Sequence, residues 1–230
     1  MVLMQFSRLR LPSKHPSRVL VFFILAAISA FALNCYWPAL AGPFVLDDEP
    51  NFYGLNFVNS FSGALAYSYS GPAGIRWISF LSFTLPFEIA GWKNDDAFTF
   101  KLINLIIHIV NTALVFAFLR RLLSTRSSPF PAPALWAAGI AIIWSIHPIH
   151  VNTVLYSVQR MTLLGATAVL AGLLFHLSFT GSRRERPTTH TDWLLYTAIL
   201  WLITLIGILC KESAILLPLY VLACYSFAPS

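Results

Sequence analysis

Residues 19–40 read VLVFFILAAISAFALNCYWPAL, a run without a single charged side chain. Because a helix rises about 1.5 Å per residue, about 20 apolar residues cross the hydrocarbon core of a bilayer. The run ends in Tyr36-Trp37-Pro38, and aromatic residues of this kind favour the membrane–water interface. It is longer than the apolar part of a typical signal peptide. The stretch therefore predicts a retained first membrane helix.

The rest of the chain has the same character. Hydrophobic residues make up 57% of it and charged residues 10%, whereas soluble domains average about 45–50% and about 25%. Further apolar runs of helix length cover residues 97–119, 134–147, 161–180, 193–210 and 213–227. A membrane β-barrel would instead show alternating segments of about ten residues. The sequence predicts an all-α, polytopic membrane helical bundle of about six spans.

The distribution of basic residues predicts the orientation of this bundle. With six spans, a basic tail at 1–18, the loops at 120–133 and 181–192, and the C-terminus share one side, which collects most of the 15 Lys and Arg residues. Basic loops stay in the cytoplasm, so we expect cytoplasmic termini and an external loop at 43–96. The basic surplus then marks topology and indicates no nucleic acid partner. Two moderately apolar stretches of the loop, 51–67 and 75–90, are typical of helices lying on the membrane surface.

An acidic stretch follows the first span. Residues 42–51 read GPFVLDDEPN, which places Asp47, Asp48 and Glu49 side by side in a chain with few charges. Adjacent carboxylates repel one another, and an ionised group close to hydrocarbon is costly. Such a cluster binds a cation, acts as a general base or caps a helix. We predict that Asp47 and Asp48 are catalytic, and they are also the candidate ligands if a metal is used.

Other polar residues fall at span ends or in loops on the same external side. Basic residues can hold a phosphate while a carboxylate deprotonates an acceptor; the plainer alternative is ion pairing and snorkelling at the interface. His147 and His150 are spaced for metal binding, but two histidines alone are a weak signal. The candidate substrate- or phosphate-binding residues are Arg76, Lys101, His147, His150, Arg160, Lys211 and Glu212.

The second span carries a polar stripe. Lys101, Asn104, His108 and Asn111 are spaced to share one face of a helix. For Asn104, His108 and Asn111 we predict hydrogen bonds between helices, whereas Lys101 lies near the external end and could approach the site. No glycine-rich nucleotide loop, P-loop or zinc protease signature occurs, which argues against a soluble nucleotide cofactor.

Five stretches, in order, resemble the membrane region of the GT-C glycosyltransferases. The similarity is strongest to the transmembrane and tetratricopeptide-repeat O-mannosyltransferases and their bacterial relatives. The matching stretches are FVLDD at 44–48, RWISF at 76–80, KLINLIIH at 101–108, HPIHV at 147–151 with Gln159-Arg160, and CKESA at 210–214. Members of the family are generally longer, so we expect the domain at 19–227, with its short end at 228–230, to be truncated relative to the family.

The resemblance implies an integral membrane glycosyltransferase. Its sugar would come from a polyprenyl-phosphate donor and pass, with inversion, to a protein, lipid or glycan acceptor at the outer membrane face. Asp47 would be the base, Asp48 would assist it or bind a divalent cation where one is used, and Arg76, Arg160 and Lys211 would hold the lipid phosphate. Overall resemblance suggests a bacterial inner membrane. The alternatives are a transporter or flippase of lipid-linked saccharides and a non-catalytic, truncated membrane subunit.

Overall fold

The computed structural model describes residues 18–58, 60–70, 74–90, 96–124, 132–183 and 189–227. Within these ranges the chain is helical and forms no β-strand. Most of the predicted basic tail and the C-terminal residues 228–230 lie outside the described residues. The helices are α1 (Arg18–Tyr36), α2 (Asp48–Phe52), α3 (Phe61–Ser70), α4 (Trp77–Ala90), α5 (Ala97–Leu123), α6 (Pro133–Ser145), α7 (His150–Leu155), α8 (Arg160–Arg183), α9 (His190–Ile208) and α10 (Leu217–Phe227).

Among the residues that the structure describes, four helical segments are long and apolar enough to cross a membrane. They are Val19–Ala39, Ala97–Leu123, Ser157–Gly181 and His190–Ile208. The other two predicted spans correspond to shorter apolar helices, Pro133–Ser145 and Glu212–Cys224. The first of these ends just before Pro148, a residue that cannot continue a helix without losing a hydrogen bond. The helical membrane bundle is confirmed, with four full-length spans and two shorter helices where six spans were predicted.

Helix α5 is the central element of the bundle. It packs against α6 on one side and against α8 on the other, and α8 in turn packs against α9 and α10. Phe116 of α5 meets Ala137 and Ala141 of α6 in one apolar cluster. Small residues on α6 let the two helices approach closely, which is how membrane helices commonly pack.

The long loop at 43–96 packs against one end of the bundle. Helices α3 and α4 pack together, and the Ser68 and Thr84 hydroxyls are 3.3 Å apart in a hydrogen bond. The Ser79 hydroxyl donates to the carbonyl of Cys210 at 3.0 Å, just after α9. The two apolar stretches of the loop are thus helical, as predicted, and α4 is tied to the same end of the bundle as Lys211.

Candidate functional site

The acidic pair lies within a strained turn at residues 45–48. Leu46 has a φ of 51°, a left-handed conformation that is uncommon for a residue with a side chain. The Asp48 N–H donates to the Val45 carbonyl, and the Val45 N–H donates back to the Asp48 carboxylate at 3.2 Å. The turn separates the two acids: the Asp47 side chain is exposed and the Asp48 side chain is fully buried.

The segment before α8, residues 156–158, is hydrogen-bonded to this turn. The Asp47 N–H donates to the Tyr156 hydroxyl at 3.0 Å, and the N–H groups of Ser157 and Val158 donate to the Asp48 carboxylate at 3.2 and 2.7 Å. We call these five residues the acid clamp. Burial raises the pKa of the Asp48 carboxyl above its usual value, and its N–H donors and the Lys101 charge offset part of this rise. Asp48 is therefore an anchor, and Asp47 is the acid left open to solvent.

Lys101 anchors the chain leading into the turn. Its ammonium is buried and donates to the carbonyls of Gly42 and Pro43, both at 2.7 Å. A Cβ on Gly42 would lie 3.3 Å from the ammonium nitrogen, a close contact that favours glycine here. The structure thus places this predicted site residue next to the acid clamp, bonded to backbone.

Arg160 lies beneath the acid clamp and is fully buried. Its guanidinium donates to the Asn104 side-chain oxygen at 3.0 Å and to the carbonyls of Ser82 and Phe100 at 2.7 and 3.1 Å. It also lies over the Phe83 ring, 4.4 Å from the centroid, which stabilises a cation. These contacts tie α4, α5 and α8 together. Binding of a lipid phosphate by Arg160 stays a prediction.

Asn104 connects this buried cation to the clamp. Its amide nitrogen donates to the carbonyls of Tyr156 and Ser157 at 3.3 and 3.2 Å. The backbone that carries the clamp's donors is therefore fixed from α5, through a side chain that also accepts from Arg160. The prediction of hydrogen bonds between helices is confirmed for Asn104.

A group of basic and polar side chains lies beside the residues that come directly after Val158 of the clamp. Lys211 donates to the Thr162 hydroxyl at 2.5 Å and lies 3.5 Å from the side-chain oxygen of Gln159, the residue after the clamp. Arg76 forms a half-exposed ion pair with Glu212 at 2.6 Å. Burial lowers the pKa of Lys211, and the nearby charge of Arg76 lowers it further. The structure thus brings Arg76, Lys211 and Glu212 together, as a group open to solvent on one side.

The chain is 31% identical over 220 residues to protein O-mannosyl-transferase Tmtc2 of Drosophila melanogaster, which covers 90% of this chain and 21% of that protein. The chain is similar to the TMTC protein O-mannosyl-transferases. It is also 29% identical to Drosophila Tmtc1, over 83% of this chain and 21% of that protein. Mouse TMTC3 is 26% identical, over 85% of this chain and 20% of that protein.

These relatives limit what is established. The chain spans about a fifth of the length of the TMTC proteins it matches. No protein-family model and no solved structure matches it. The resemblance predicted from the sequence motifs is confirmed. The relatives named here are animal proteins, and a bacterial inner membrane stays a prediction.

The two histidines of the HPIHV motif in this TMTC-like chain occupy different surroundings. His147 is exposed and accepts from the Ile149 N–H at 3.2 Å. The His150 ring lies 4.3 Å from that of Trp144 and 5.1 Å from that of His108. Burial, together with the neighbouring His108 and His147, lowers the pKa of His150 to about 4. His150 begins α7, which leads directly to Tyr156 of the clamp.

The rest of the polar stripe on α5 also joins helices. His108 bonds the Ser145 carbonyl at 2.8 Å, and Asn111 donates to the Leu163 carbonyl at 2.9 Å. The Thr167 hydroxyl donates to the Asn111 side chain at 2.7 Å. Inter-helix hydrogen bonding is confirmed here too.

The residues present do not fit a divalent cation at Asp48. Both of its carboxylate oxygens accept backbone N–H groups inside the protein. In the ranges that the structure describes, no group of three or more His, Cys, Asp and Glu side chains converges as metal ligands. We therefore derive no step through a metal.

The residue that sequence reasoning missed is Tyr156. It had no neighbouring charge or motif to single it out, and its role depends on a contact with a residue 109 positions away.

Proposed function

We propose that this chain is an integral membrane glycosyltransferase that moves a sugar from a polyprenyl-phosphate donor to a hydroxyl acceptor at the outer membrane face. The observation that carries the proposal is the acid clamp, which holds Asp47 at the surface while Asp48 is buried beneath it. The names of the TMTC relatives support transfer of a mannosyl group to protein oxygen. Transfer to a lipid or glycan acceptor is the other outcome that the assay below resolves.

The charge arrangement suits displacement at the anomeric carbon. Asp47 accepts the proton of the acceptor hydroxyl while the hydroxyl oxygen forms the new bond to the anomeric carbon. At the same time the bond from that carbon to the phosphate oxygen breaks. The bonding pair leaves with the phosphate, whose developing charge is stabilised by Arg76 and Lys211. Attack opposite the leaving phosphate inverts the anomeric centre.

The chain itself links these two parts. Gln159 follows Val158 of the clamp directly and approaches Lys211, and Met161 accepts a hydrogen bond from Arg76 at 3.3 Å. A short stretch of backbone thus fixes both the acid and the cations, which is the preorganisation that a displacement reaction requires. In this proposal Lys101 and Arg160 hold the scaffold, since their polar atoms are bonded to protein oxygens.

The orientation belongs to the same proposal. The termini lie in the cytoplasm and loop 43–96 lies outside, because the basic loops are on the opposite side. An external site can take its donor from the outer leaflet, which agrees with a site built at the ends of α5, α8 and α9.

Sugar transfer in proteoliposomes tests the function. The chain is reconstituted with a panel of polyprenyl-phosphate sugars and with peptide, lipid and glycan acceptors. We expect transfer by the native chain, its loss in Asp47→Asn, and its retention in Glu49→Gln, which removes an exposed charge from the same loop. Equal turnover in the native chain and Asp47→Asn would remove Asp47 from the mechanism. Donor binding or donor movement across the bilayer without transfer would favour a binding subunit or a flippase.

A further inference from the structure

Within the acid clamp, Asp47 is bound by the side chain of Tyr156. Ser157 and Val158 use backbone N–H groups, and both bind Asp48. Tyr156 uses its hydroxyl, which accepts the Asp47 N–H at 3.0 Å. The hydroxyl therefore binds the backbone of the same residue whose side chain we propose as the base.

The surroundings of Tyr156 fix its ring. The ring is buried in an apolar cluster with Phe52, Phe83 and Phe100, and the Tyr156 carbonyl accepts from Asn104. Burial raises the pKa of the Tyr156 phenol, and the charges of both acids raise it further, against the opposing effect of the Asp47 N–H. The phenol therefore keeps its proton at neutral pH.

We propose that Tyr156 is the positioning residue of Asp47: its hydroxyl accepts the Asp47 N–H and so holds the backbone that carries the catalytic carboxylate in the orientation that accepts the substrate proton. This inference rests on the proposed function, because orientation of Asp47 affects the chemistry only if Asp47 is the base.

Two features of the turn explain why a positioning residue is needed. The Asp47 side chain is exposed, so packing does not restrict its rotamers. The preceding Leu46 is in a left-handed conformation, which persists only where surrounding contacts impose it. The Tyr156 hydroxyl supplies such a contact from a rigid element, and a general base must lie within hydrogen-bond reach of the proton it removes.

The first test is Tyr156→Phe in the full 230-residue chain, with Tyr69→Phe as the matched control. Tyr69 has an exposed ring in the loop that carries Asp47, so its variant removes a phenol hydroxyl that lies outside the acid clamp. The Asp48 anchor uses backbone N–H groups and survives the change. For Tyr156→Phe we expect kcat of sugar transfer to fall about 10–100-fold, with KM for the donor changed about twofold or less. An unchanged kcat in an active preparation would overturn the proposal.

Amide hydrogen exchange gives a readout that does not depend on activity. Tyr156→Phe removes the acceptor of the Asp47 N–H, so exchange at Asp47 should accelerate while Ser157 and Val158 stay protected. Equal exchange at Asp47 in the native chain and the variant would overturn the proposal. If the native chain transfers no sugar, the proposed function fails, and the exchange result alone decides whether Tyr156 holds Asp47.

A second variant keeps the experiment decisive if Tyr156→Phe folds poorly. Replacing Tyr156 by 3,5-difluorotyrosine keeps the hydroxyl and nearly the same shape but makes the phenol more acidic. An ionised phenol repels the Asp47 carboxylate and so displaces it. We expect activity to be lost at a lower alkaline pH than in the native chain. A profile that does not move would overturn the positioning role, because a purely structural ring would leave it unchanged.

Discussion

Replacement of Asp48 tests the acid clamp as a structural anchor. In the native chain one carboxylate oxygen accepts from Val45 and Ser157 and the other accepts from Val158. In Asp48→Asn only one of these positions remains an acceptor, because the other becomes an NH₂ group. The best arrangement keeps the first pair of bonds and leaves the buried Val158 N–H facing another donor.

The expected cost follows from this accounting. One buried N–H without an acceptor costs about 1–3 kcal/mol, and the neutral amide recovers a part of this because it no longer buries a charge. Asp48→Ala leaves the N–H groups of both Ser157 and Val158 without acceptors, so we expect a loss of about 2–5 kcal/mol. The order of stability is therefore native, then Asp48→Asn, then Asp48→Ala.

Thermal unfolding in detergent or nanodiscs provides the measurement. Ser157→Ala is the matched control, because it keeps the backbone donor to Asp48 and removes a buried hydroxyl that has no partner among the described residues. We expect the control to melt within a degree or two of the native chain. The reasoning is refuted if Asp48→Ala melts with the native chain, or if Ser157→Ala melts as low as Asp48→Ala.

Three further predictions concern the surroundings of the site. Arg160→Lys should destabilise the fold by about 2–4 kcal/mol in thermal unfolding, because the three acceptors bind three different guanidinium nitrogens and a single ammonium nitrogen cannot reach them all; unchanged stability with weakened donor binding would instead favour the phosphate role. The pKa of folded His150 is about 4, below the unfolded value of about 6.5, so its contribution to stability should be full above pH 6.5 and be lost as the pH drops toward 4. The melting temperature of His150→Phe should depend less on pH than that of the native chain, and the same pH dependence in both would contradict this. Gly207→Ala should destabilise the chain because its Cβ would lie 2.7 Å from that of Ala214, whereas Gly139→Ala meets open space; equal melting temperatures would exclude the predicted clash.

The helical bundle could be predicted because hydropathy and length act locally. The run at 19–40 has no charge, and a chain in lipid must satisfy its backbone groups within helices. The acids were also recognisable, since carboxylates near hydrocarbon are costly wherever they occur. The short helices α6 and α10 were harder to classify from the sequence, because composition does not distinguish a short membrane span from a buried helix of the same length.

The division of roles within the site could not be predicted. Asp47 and Asp48 are adjacent residues of the same type, and it is the folded turn at Leu46, with the N–H donors of residues 157 and 158, that buries one and leaves the other exposed. The groups that bind Asp48 are backbone N–H groups, which every residue except proline carries. No residue type in the sequence therefore identifies them. The same holds for Lys101 and Arg160, whose partners are largely carbonyl oxygens.

The length of chain between the two halves of the acid clamp has a consequence for biosynthesis. Asp48 and Ser157 are 109 residues apart, and at about 5–20 residues per second the ribosome needs about 5–20 s to add the second partner after the first. During this interval Asp48 stays hydrated, and its burial is a late event in maturation. The clamp can close only when both segments emerge on the same face of the membrane. A chain in which α8 inserts in the opposite direction cannot bury Asp48, so the clamp makes the native site conditional on correct insertion of every helix before it.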